Sequence, residues 1–212
     1  MHPLRIHEYM LQGPVEHVLE SQQPEEQHGF RSNRRLEEHL LTAALVIEKT
    51  LAANVPLWIV RLELSKAFDR VSWAALREVL RQLGVSDHLI WTLHRLYRDQ
   101  EGQILGDWAR SQAFPINAGV RQGCVLSPVL FTAVLEWAMR AWKVRISHFG
   151  FDLGDGLRPL IDLRFADDIL SFAKSAGEAK LQLDALVDEL AKVGLVLNAA
   201  KTVVMTTEAQ PP

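Results

Sequence analysis

The stretch LRFADDIL, Leu163–Leu170, places two adjacent carboxylates, Asp167 and Asp168, between apolar residues that favour strands. Side chains on an extended strand alternate between its faces, but at a tight turn between two strands both carboxylates can approach one point. Carboxylates held close together repel each other, and Mg²⁺ held by one or two carboxylates plus substrate phosphates is a usual compensation. Asp is also common in ordinary exposed turns, so the dipeptide alone leaves both interpretations open.

The composition is that of a globular protein with one large core or a domain and a half. The chain has 212 residues, 48% of them hydrophobic. Its formal net charge of -3 is unlike the basic balance of a free-standing nucleic-acid binder. The single cysteine, Cys124, excludes an internal disulfide and a cysteine-rich zinc site, and it fits a reducing compartment.

The sequence also bears on where the chain acts. It has no unbroken apolar run long enough to span a bilayer, and the N-terminal residues, which include His2, Glu8 and Glu16, lack the basic and apolar regions of a signal peptide. We therefore expect an intracellular protein without a membrane partner. The sequence does not distinguish nucleus from cytoplasm.

Hydrophobic periodicity predicts a mixture of helices and strands. Residues 1–35 are polar and predict only one or two amphipathic turns near Val15 and Leu19, whereas the run Leu57–Leu64 predicts a buried strand. Amphipathic spacing predicts helices over Leu36–Ala53, Trp73–Leu83, Leu89–Tyr97, Pro128–Ile146 and Ala176–Val193. Short apolar segments predict a β-hairpin over 102–118 and strands containing Phe151, Leu153, Leu160, Ile161 and Leu163, then Ile169–Phe172, Leu195–Leu197 and Thr202–Met205.

Five short segments supply a pattern that none of them carries alone. They are QHGFR at Gln27–Arg31, AFDRV at Ala67–Val71, GVRQGCVLSP at Gly119–Pro128, FADD at Phe165–Asp168 and GLVLNAAKT at Gly194–Thr202. In this order and spacing the segments resemble the reverse transcriptase family, specifically its non-LTR retrotransposon type. The resemblance extends over nearly the whole chain.

The resemblance implies an α+β fold of the reverse-transcriptase palm type, in which a small antiparallel sheet is backed by helices. It assigns residues 1–56 to a partial fingers region and residues 57–212 to the palm, with 102–118 as a β-hairpin insertion. Two parts of the family's pattern have no counterpart, namely the basic fingers strand before Gln27 and the thumb helices after Pro212.

The chemistry that the resemblance implies is RNA-directed DNA synthesis. A primer 3′-hydroxyl attacks the α-phosphate of an incoming deoxynucleotide and pyrophosphate leaves, so the implied partners are an RNA template, a DNA primer and dNTP. Two Mg²⁺ ions, with Mn²⁺ as an alternative, clamp the attacking and leaving oxygens in such a reaction. Asp167 matches the family's metal ligand in the turn, and Asp168 is its neighbour with a lesser role.

Five residues match positions that the family places around the nucleotide: Arg31, Phe68, Arg121, Gln122 and Gly123. Phe68 would lie against the sugar and exclude a 2′-hydroxyl, although a core phenylalanine fits its pattern equally well. Gln122 would lie beside the nucleotide, and Gly123 would allow the backbone to approach it. The two arginines would contact phosphates, with a solvated surface position as the alternative.

Two further residues complete the predicted catalytic group. Lys201 matches the lysine that neutralises or protonates the leaving pyrophosphate, with a surface lysine as the alternative. Glu63 stands where the family has its first metal-binding aspartate, five residues before Phe68. Glutamate keeps the charge but moves the carboxylate by roughly 1 Å, and misplacement on that scale can cost about a hundredfold in rate.

The Glu63 departure leaves three functional hypotheses open. The chain is a reverse transcriptase domain fragment impaired by Glu63 and truncation, or the same domain is fully active with a partner in place of the thumb. Alternatively, it is a catalytically inactive scaffold of the same fold that binds RNA or protein.

Overall fold

The computed structural model describes residues 3–106, 109–152 and 159–208, with side chains from Leu11 onward. Helices in this part of the chain are α1 (Pro3–Glu20), α2 (Leu36–Ala53), α3 (Ala67–Arg70), α4 (Trp73–Gln82), α5 (Asp87–Tyr97), α6 (Ser127–Arg145) and α7 (Ala176–Lys192), with a short 3-10 turn at Ala199–Lys201. Its strands are β1 (Trp58–Leu62), β2 (Glu101–Gly102), β3 (Phe114–Pro115), β4 (Asp162–Phe165), β5 (Asp168–Ala173) and β6 (Val203–Thr206).

A four-stranded antiparallel sheet in the order β4-β5-β1-β6 forms the centre of the fold. Strand β1 pairs with β5 along its whole length, from Trp58 opposite Ala173 to Leu62 opposite Ile169. Its four apolar side chains are all buried, as the nearly continuous apolar run predicts for a central strand. Strands β2 and β3 form a separate two-stranded sheet.

Helices cover one face of the four-stranded sheet. Val60 and Leu62 of β1 and Ile169 of β5 belong to a large apolar cluster that is completed by α6 and α7. Helix α6 is buried nearly all round, which is why its apolar residues show no narrow stripe. Helices α1, α4 and α5 pack around this layer. The structure therefore confirms the predicted α+β class and the antiparallel sheet backed by helices.

The opposite face of the sheet is covered only in part. Helix α2 contributes Val46 to a smaller apolar cluster with Leu57, Ile59, Leu163 and Phe172. Alternation along the strands explains the separation, since successive side chains of β1 point to opposite faces. No described helix is long and apolar enough to cross a membrane.

Most predicted helices lie where the periodicity places them. Helix α2 has the predicted bounds, and hydroxyl side chains cap α4 and α5, with Ser72 accepting from the Ala75 amide and Ser86 accepting from the Leu89 amide. A side-chain oxygen at this position satisfies an amide that has no partner inside the helix.

Two predictions near the chain ends are wrong. Residues 3–20 form one helix rather than one or two turns, because Val15 and Leu19, four residues apart, bury together against the large cluster despite Pro14 in the helix. The segment Leu195–Leu197 is not a strand, since only Leu197 forms a bridge, to Leu64. Phe151 and Leu160 likewise form one isolated bridge, and Leu153 lies outside the described residues.

Gly194 makes the turn from α7 into the segment that leads to Lys201. Its φ of 84° is in the left-handed region, and a Cβ at this position would lie 2.6 Å from the Arg70 carbonyl oxygen. Only glycine combines this conformation with this approach.

We expect Gly194→Ala to lower the free energy of unfolding by about 1–2 kcal/mol from the left-handed conformation alone, with the contact to Arg70 adding to that loss. Gly13→Ala is the matched control, because Gly13 lies in α1 with open space around it, and it should raise the stability by roughly 0.5–1 kcal/mol. Urea denaturation measures both, and equal stability of Gly194→Ala and the parent chain would contradict this account of the turn.

Candidate active site at one end of the central sheet

The register of the sheet brings two carboxylates to one end of it. Leu62 is the last residue of β1 and pairs with Ile169 of β5, so Glu63 leaves the sheet beside the turn that joins β4 to β5. Phe165 pairs with Asp168 across that turn, which leaves Ala166 and Asp167 as its two central residues. Glu63 and Asp167 therefore approach each other from separate parts of the sheet.

The electrostatics of Asp167 reflect this convergence. Burial raises the pKa of the Asp167 carboxyl above its ordinary value, and the charges of Asp168 and Glu63 raise it further. A backbone hydrogen bond and the Lys201 ammonium act in the opposite direction, but they do not reverse the shift. The site thus holds more negative charge than its one lysine neutralises, and carboxylate oxygens are the ligands that Mg²⁺ prefers, so this residue set fits a divalent cation.

Lys201 is held at the same end of the sheet by backbone hydrogen bonds. The Asn198 amide donates to the Glu63 carbonyl oxygen at 2.8 Å, and the Lys201 amide donates to the Asn198 carbonyl oxygen at 3.1 Å. The Lys201 ammonium forms an ion pair with the Glu63 carboxylate. Lys201, one of the four predicted catalytic residues, therefore lies beside Glu63 and Asp167.

Asp168 behaves differently from its neighbour. It is exposed, and its carboxylate lies 3.6 Å from Nη2 of Arg61 on β1. Within the described residues, no three side chains of the His, Cys, Asp and Glu types are arranged to hold a metal ion together. Glu63 and Asp167 thus lie near each other, whereas Asp168 lies beside the Arg61 guanidinium.

A group of aromatic rings lies next to the segment after β1. Phe68 stacks on Phe131 of α6 with ring centroids 4.9 Å apart, and the ring of Phe30 meets Phe68 edge-on at 6.1 Å. The Val120 amide donates to the Phe68 carbonyl oxygen at 2.8 Å, which fixes the glycine-bearing loop Gly119–Gly123 against this segment.

The hydrogen bond between the Val120 amide and the Phe68 carbonyl oxygen brings Gln122 close to the segment that contains Phe68. The Gln122 amide group donates to the Asp69 carboxylate at 3.3 Å. Gly123 has a φ of 81° and open space where a Cβ would be, so its backbone is accessible to a neighbouring molecule. The loop that carries Gln122 and Gly123 therefore lies against the segment Phe68–Asp69.

The two predicted phosphate-binding arginines make contacts within the protein. Arg31 donates to the Pro24 carbonyl oxygen at 2.6 Å and to that of Gln27 at 2.9 Å, and it pairs with Glu20. Arg121 donates to the Leu96 carbonyl oxygen at 3.1 Å. None of these bonds is with Glu63, Asp167 or Lys201, so a phosphate role for either arginine stays a prediction.

Sequence reasoning missed two residues at this site. Phe30 is 55% exposed beside Phe68, and Gln27 is buried against the turn that carries Asp167. Both lie in the segment Gln27–Arg31, which sequence analysis recognises as a motif without assigning a task to these two side chains. An aromatic residue directly after a glycine in an otherwise polar stretch is the sequence signal that points to Phe30, whereas the burial of Gln27 has no signal in the sequence.

The raised pKa of Asp167 predicts that the parent chain and Asp167→Asn differ in stability by an amount that depends on pH. A carboxyl with a folded-state pKa above its unfolded value contributes stability below the unfolded pKa, near 3.9, and this contribution is lost as the pH rises through the folded pKa. Ionised Asp167 therefore opposes folding at neutral pH, and Asp167→Asn should raise Tm there, with a difference that shrinks below about pH 4.

Thermal denaturation at several pH values measures this difference. Asp184→Asn, which removes an exposed carboxylate on α7 paired with Lys180, is the control and should not raise Tm. A lower Tm for Asp167→Asn at neutral pH would show that its charge is compensated within the fold.

Comparison with known proteins identifies the family of the chain. The family model for reverse transcriptase (RNA-dependent DNA polymerase) matches residues 2–211. The chain is 30% identical over 185 residues to the Pol polyprotein of the type-2 retrotransposable element R2DM of Drosophila melanogaster, with 87% of the chain and 17% of that relative covered. It is 29% identical over 152 residues to the corresponding R2 polyprotein of Popillia japonica, with 71% of the chain and 21% of the relative covered.

Solved structures resemble the fold at lower sequence identity. The apo telomerase of Candida tropicalis, truncated from its C-terminal domain, superposes with a TM-score of 0.69 and 17% identity over 96% of this chain and 41% of its own. The telomerase of Candida albicans with a fragment of telomeric RNA gives a TM-score of 0.67 and 14% identity over 96% of this chain and 35% of its own. The chain spans about a fifth of the length of the retrotransposon polyproteins, and it belongs to the reverse transcriptase family as a domain of the non-LTR retrotransposon type.

Proposed function

We propose that this domain catalyses RNA-directed DNA synthesis, in which a DNA primer is extended with deoxynucleotides on an RNA template. The observation that supports the proposal most strongly is the convergence of Glu63 and Asp167 from separate strands, with Lys201 beside them. Template, primer and dNTP are the partners that this reaction requires. An intracellular location, in nucleus or cytoplasm, is part of the same proposal.

Glu63 and Asp167 are the residues that would hold divalent metal, with Asp168 next to them on the turn. The family generally uses divalent metal ions, and bound Mg²⁺ or Mn²⁺ supplies charge stabilisation for the attacking and leaving oxygens of a phosphoryl transfer. The carboxylates at this end of the sheet have excess negative charge, which supports such a role.

Lys201 acts on the leaving group in this proposal. An ammonium can donate a proton or a hydrogen bond to a phosphate oxygen, and Lys201 is 60% exposed at its side chain, so a substrate can reach it. Its ion pair with Glu63 keeps it at the site before substrate binds. If Glu63 held a divalent cation, it would give up this ion pair, and the Lys201 ammonium would then be free to contact pyrophosphate.

The surface with Phe68, Gln122 and Gly123 is proposed to bind the nucleotide. Stacking on Phe131 holds the Phe68 ring rigidly, which a residue needs if it is to exclude a sugar hydroxyl by contact. Arg31 and Arg121 remain proposed phosphate contacts, in addition to the bonds that they make within the protein.

The second candidate function is an inactive scaffold that binds RNA or protein. The ion pair between Lys201 and Glu63 favours it, because an internal cation already neutralises the residue that differs from the family pattern. In this alternative the fold persists without catalysis.

Primer extension on an RNA template with Mg²⁺ or Mn²⁺ tests the first proposal. We expect Glu63→Asp to increase extension, by up to about a hundredfold, because the shorter side chain restores the carboxylate position that the family uses. We expect Asp167→Ala to abolish extension because it removes one of the two converging carboxylates.

Asp184→Asn, on the surface of α7, is the control and should extend like the parent chain. Equal extension by the parent chain, Glu63→Asp and Asp167→Ala would sink the assignment of the metal site. No extension by the parent chain and by Glu63→Asp would favour the scaffold.

A further inference from the structure

We infer that Gln27 is a positioning residue that holds the turn carrying Asp167 in the geometry needed for metal binding. The inference rests on the proposed function in so far as it concerns metal. The inference goes beyond the proposed function because it assigns a task to Gln27, which lies outside the four-stranded sheet. Gln27 is 139 positions away in sequence from Ala166, whose backbone it bonds.

The Gln27 side chain is paired with the backbone of Ala166, one of the two central residues of the turn. Its Oε1 accepts from the Ala166 amide at 3.0 Å, and its Nε2 donates to the Ala166 carbonyl oxygen at 3.1 Å. The same Oε1 also accepts from the Gly29 amide at 2.8 Å. Gln27 is 1% exposed, so these bonds form away from water and are costly to leave unmade.

Ala166 needs such support because of its backbone conformation. Its φ of 59° is left-handed, which costs a residue with a Cβ roughly 1–2 kcal/mol. Strained conformations of this kind persist when their surroundings hold them from several sides. A side chain that bonds both the amide and the carbonyl of Ala166 does this directly.

Gly29 shows how closely the loop approaches the turn. A Cβ on Gly29 would lie 2.0 Å from the Ala166 nitrogen and 2.6 Å from its Cα. No side chain can be placed there without moving one of the two backbones. Glycine two residues after Gln27 therefore allows the loop to contact the turn while Gln27 pairs with it.

The loop is itself anchored to the strand that leads into the turn. The Arg164 amide donates to the Glu26 carbonyl oxygen at 2.7 Å, and the His28 amide donates to the Arg164 carbonyl oxygen at 2.9 Å. Gln27 thus sits in a parallel bridge opposite Arg164. With its backbone fixed on β4 and its side chain fixed on Ala166, Gln27 limits the motion of the turn relative to its strand.

The support of Ala166 affects the metal site because Asp167 is its neighbour in the chain. Asp167 is the next residue after Ala166, so a change in the Ala166 backbone redirects the Asp167 carboxylate relative to Glu63. Residues that orient a metal ligand without touching the metal change metal affinity by about 10–100-fold when they are replaced. Gln27 would act in this way through the backbone rather than through the carboxylate.

Gln27→Met tests the inference, since methionine has a similar length and lacks the amide. The matched control is Gln182→Met. Gln182 is likewise 1% exposed and donates to the Phe172 carbonyl oxygen at 3.1 Å on β5, away from the turn. Both variants lose buried hydrogen bonds and stability. A difference between them in the behaviour of the turn is therefore due to the bonds of Gln27 with Ala166 and not to general destabilisation.

Two measurements on the parent chain and both variants separate the outcomes. Hydrogen exchange should show the Ala166 amide opening about tenfold faster in Gln27→Met than in Gln182→Met, after correction for global stability. Mn²⁺ titration, followed by paramagnetic line broadening, should show affinity lowered by about tenfold or more in Gln27→Met, and unchanged in Gln182→Met.

Equal Ala166 exchange, or equal Mn²⁺ affinity, in the two variants would overturn the inference. A parent chain that does not bind Mn²⁺ would instead overturn the proposed polymerase function. Hydrogen exchange at Ala166 would then decide by itself whether Gln27 holds the turn.

Discussion

The register of β1 against its two neighbours is the constraint on which the rest of the structure depends. Strand β1 pairs with β5 over five residues and with β6 over four, so its position is fixed from both sides. A slip by one residue would turn Val60 and Leu62 out of the apolar cluster and toward the other face. The burial of these side chains therefore also fixes where Glu63 leaves the sheet and which residue of the next turn it meets.

A buried ion-pair network holds β4, the other strand of the site, against the helix behind it. Arg164 is 1% exposed and lies 2.7 Å from Asp162 and 2.8 Å from Glu136 of α6. Burial alone would lower the pKa of the Arg164 guanidinium, but the two carboxylates outweigh it and raise the pKa. Loss of one partner would leave a buried charge uncompensated, at a cost of about 3–5 kcal/mol, so β4 is restricted to one position on α6.

The same network reaches the loop before α2. Lys143 of α6 pairs with Asp162 at 2.8 Å and with Glu26 at 2.6 Å. Glu26 precedes Gln27, whose side chain bonds the Ala166 turn. The loop is therefore held by the ion pair of Glu26 with Lys143 and by the hydrogen bonds of Gln27 with Ala166. The loop thereby supports the Ala166 turn, and α6 supports the loop.

Much of this could be predicted from sequence because the signals are local. The periodicity of α2 and the apolar run of β1 identify these elements, and short motifs predict Glu63, Asp167 and Lys201 as site residues. Long-range contacts were not predictable in the same way. Helix α1 is stabilised because Val15 and Leu19 pack against residues that are distant in sequence. The Gln27 side chain bonds Ala166, which is 139 positions away.

The orientation of single side chains was also beyond a sequence pattern. Asp168 faces Arg61, which stands on β1, and Arg31 bonds the carbonyl oxygens of its own loop. Both arrangements depend on which neighbours the tertiary structure supplies. Residue types at the motif positions predict a chemistry for the site, whereas packing decides which carboxylates meet.

We propose that Glu63 and Asp167 together form the metal site of this domain. Anomalous diffraction from crystals grown with Mn²⁺ tests it most directly, because it locates the ion without reference to activity. We expect an anomalous peak beside the Glu63 and Asp167 carboxylates, with Lys201 displaced from Glu63. A peak at another group of residues, or an intact Lys201–Glu63 ion pair with no peak beside it, would show that these two carboxylates do not form the metal site.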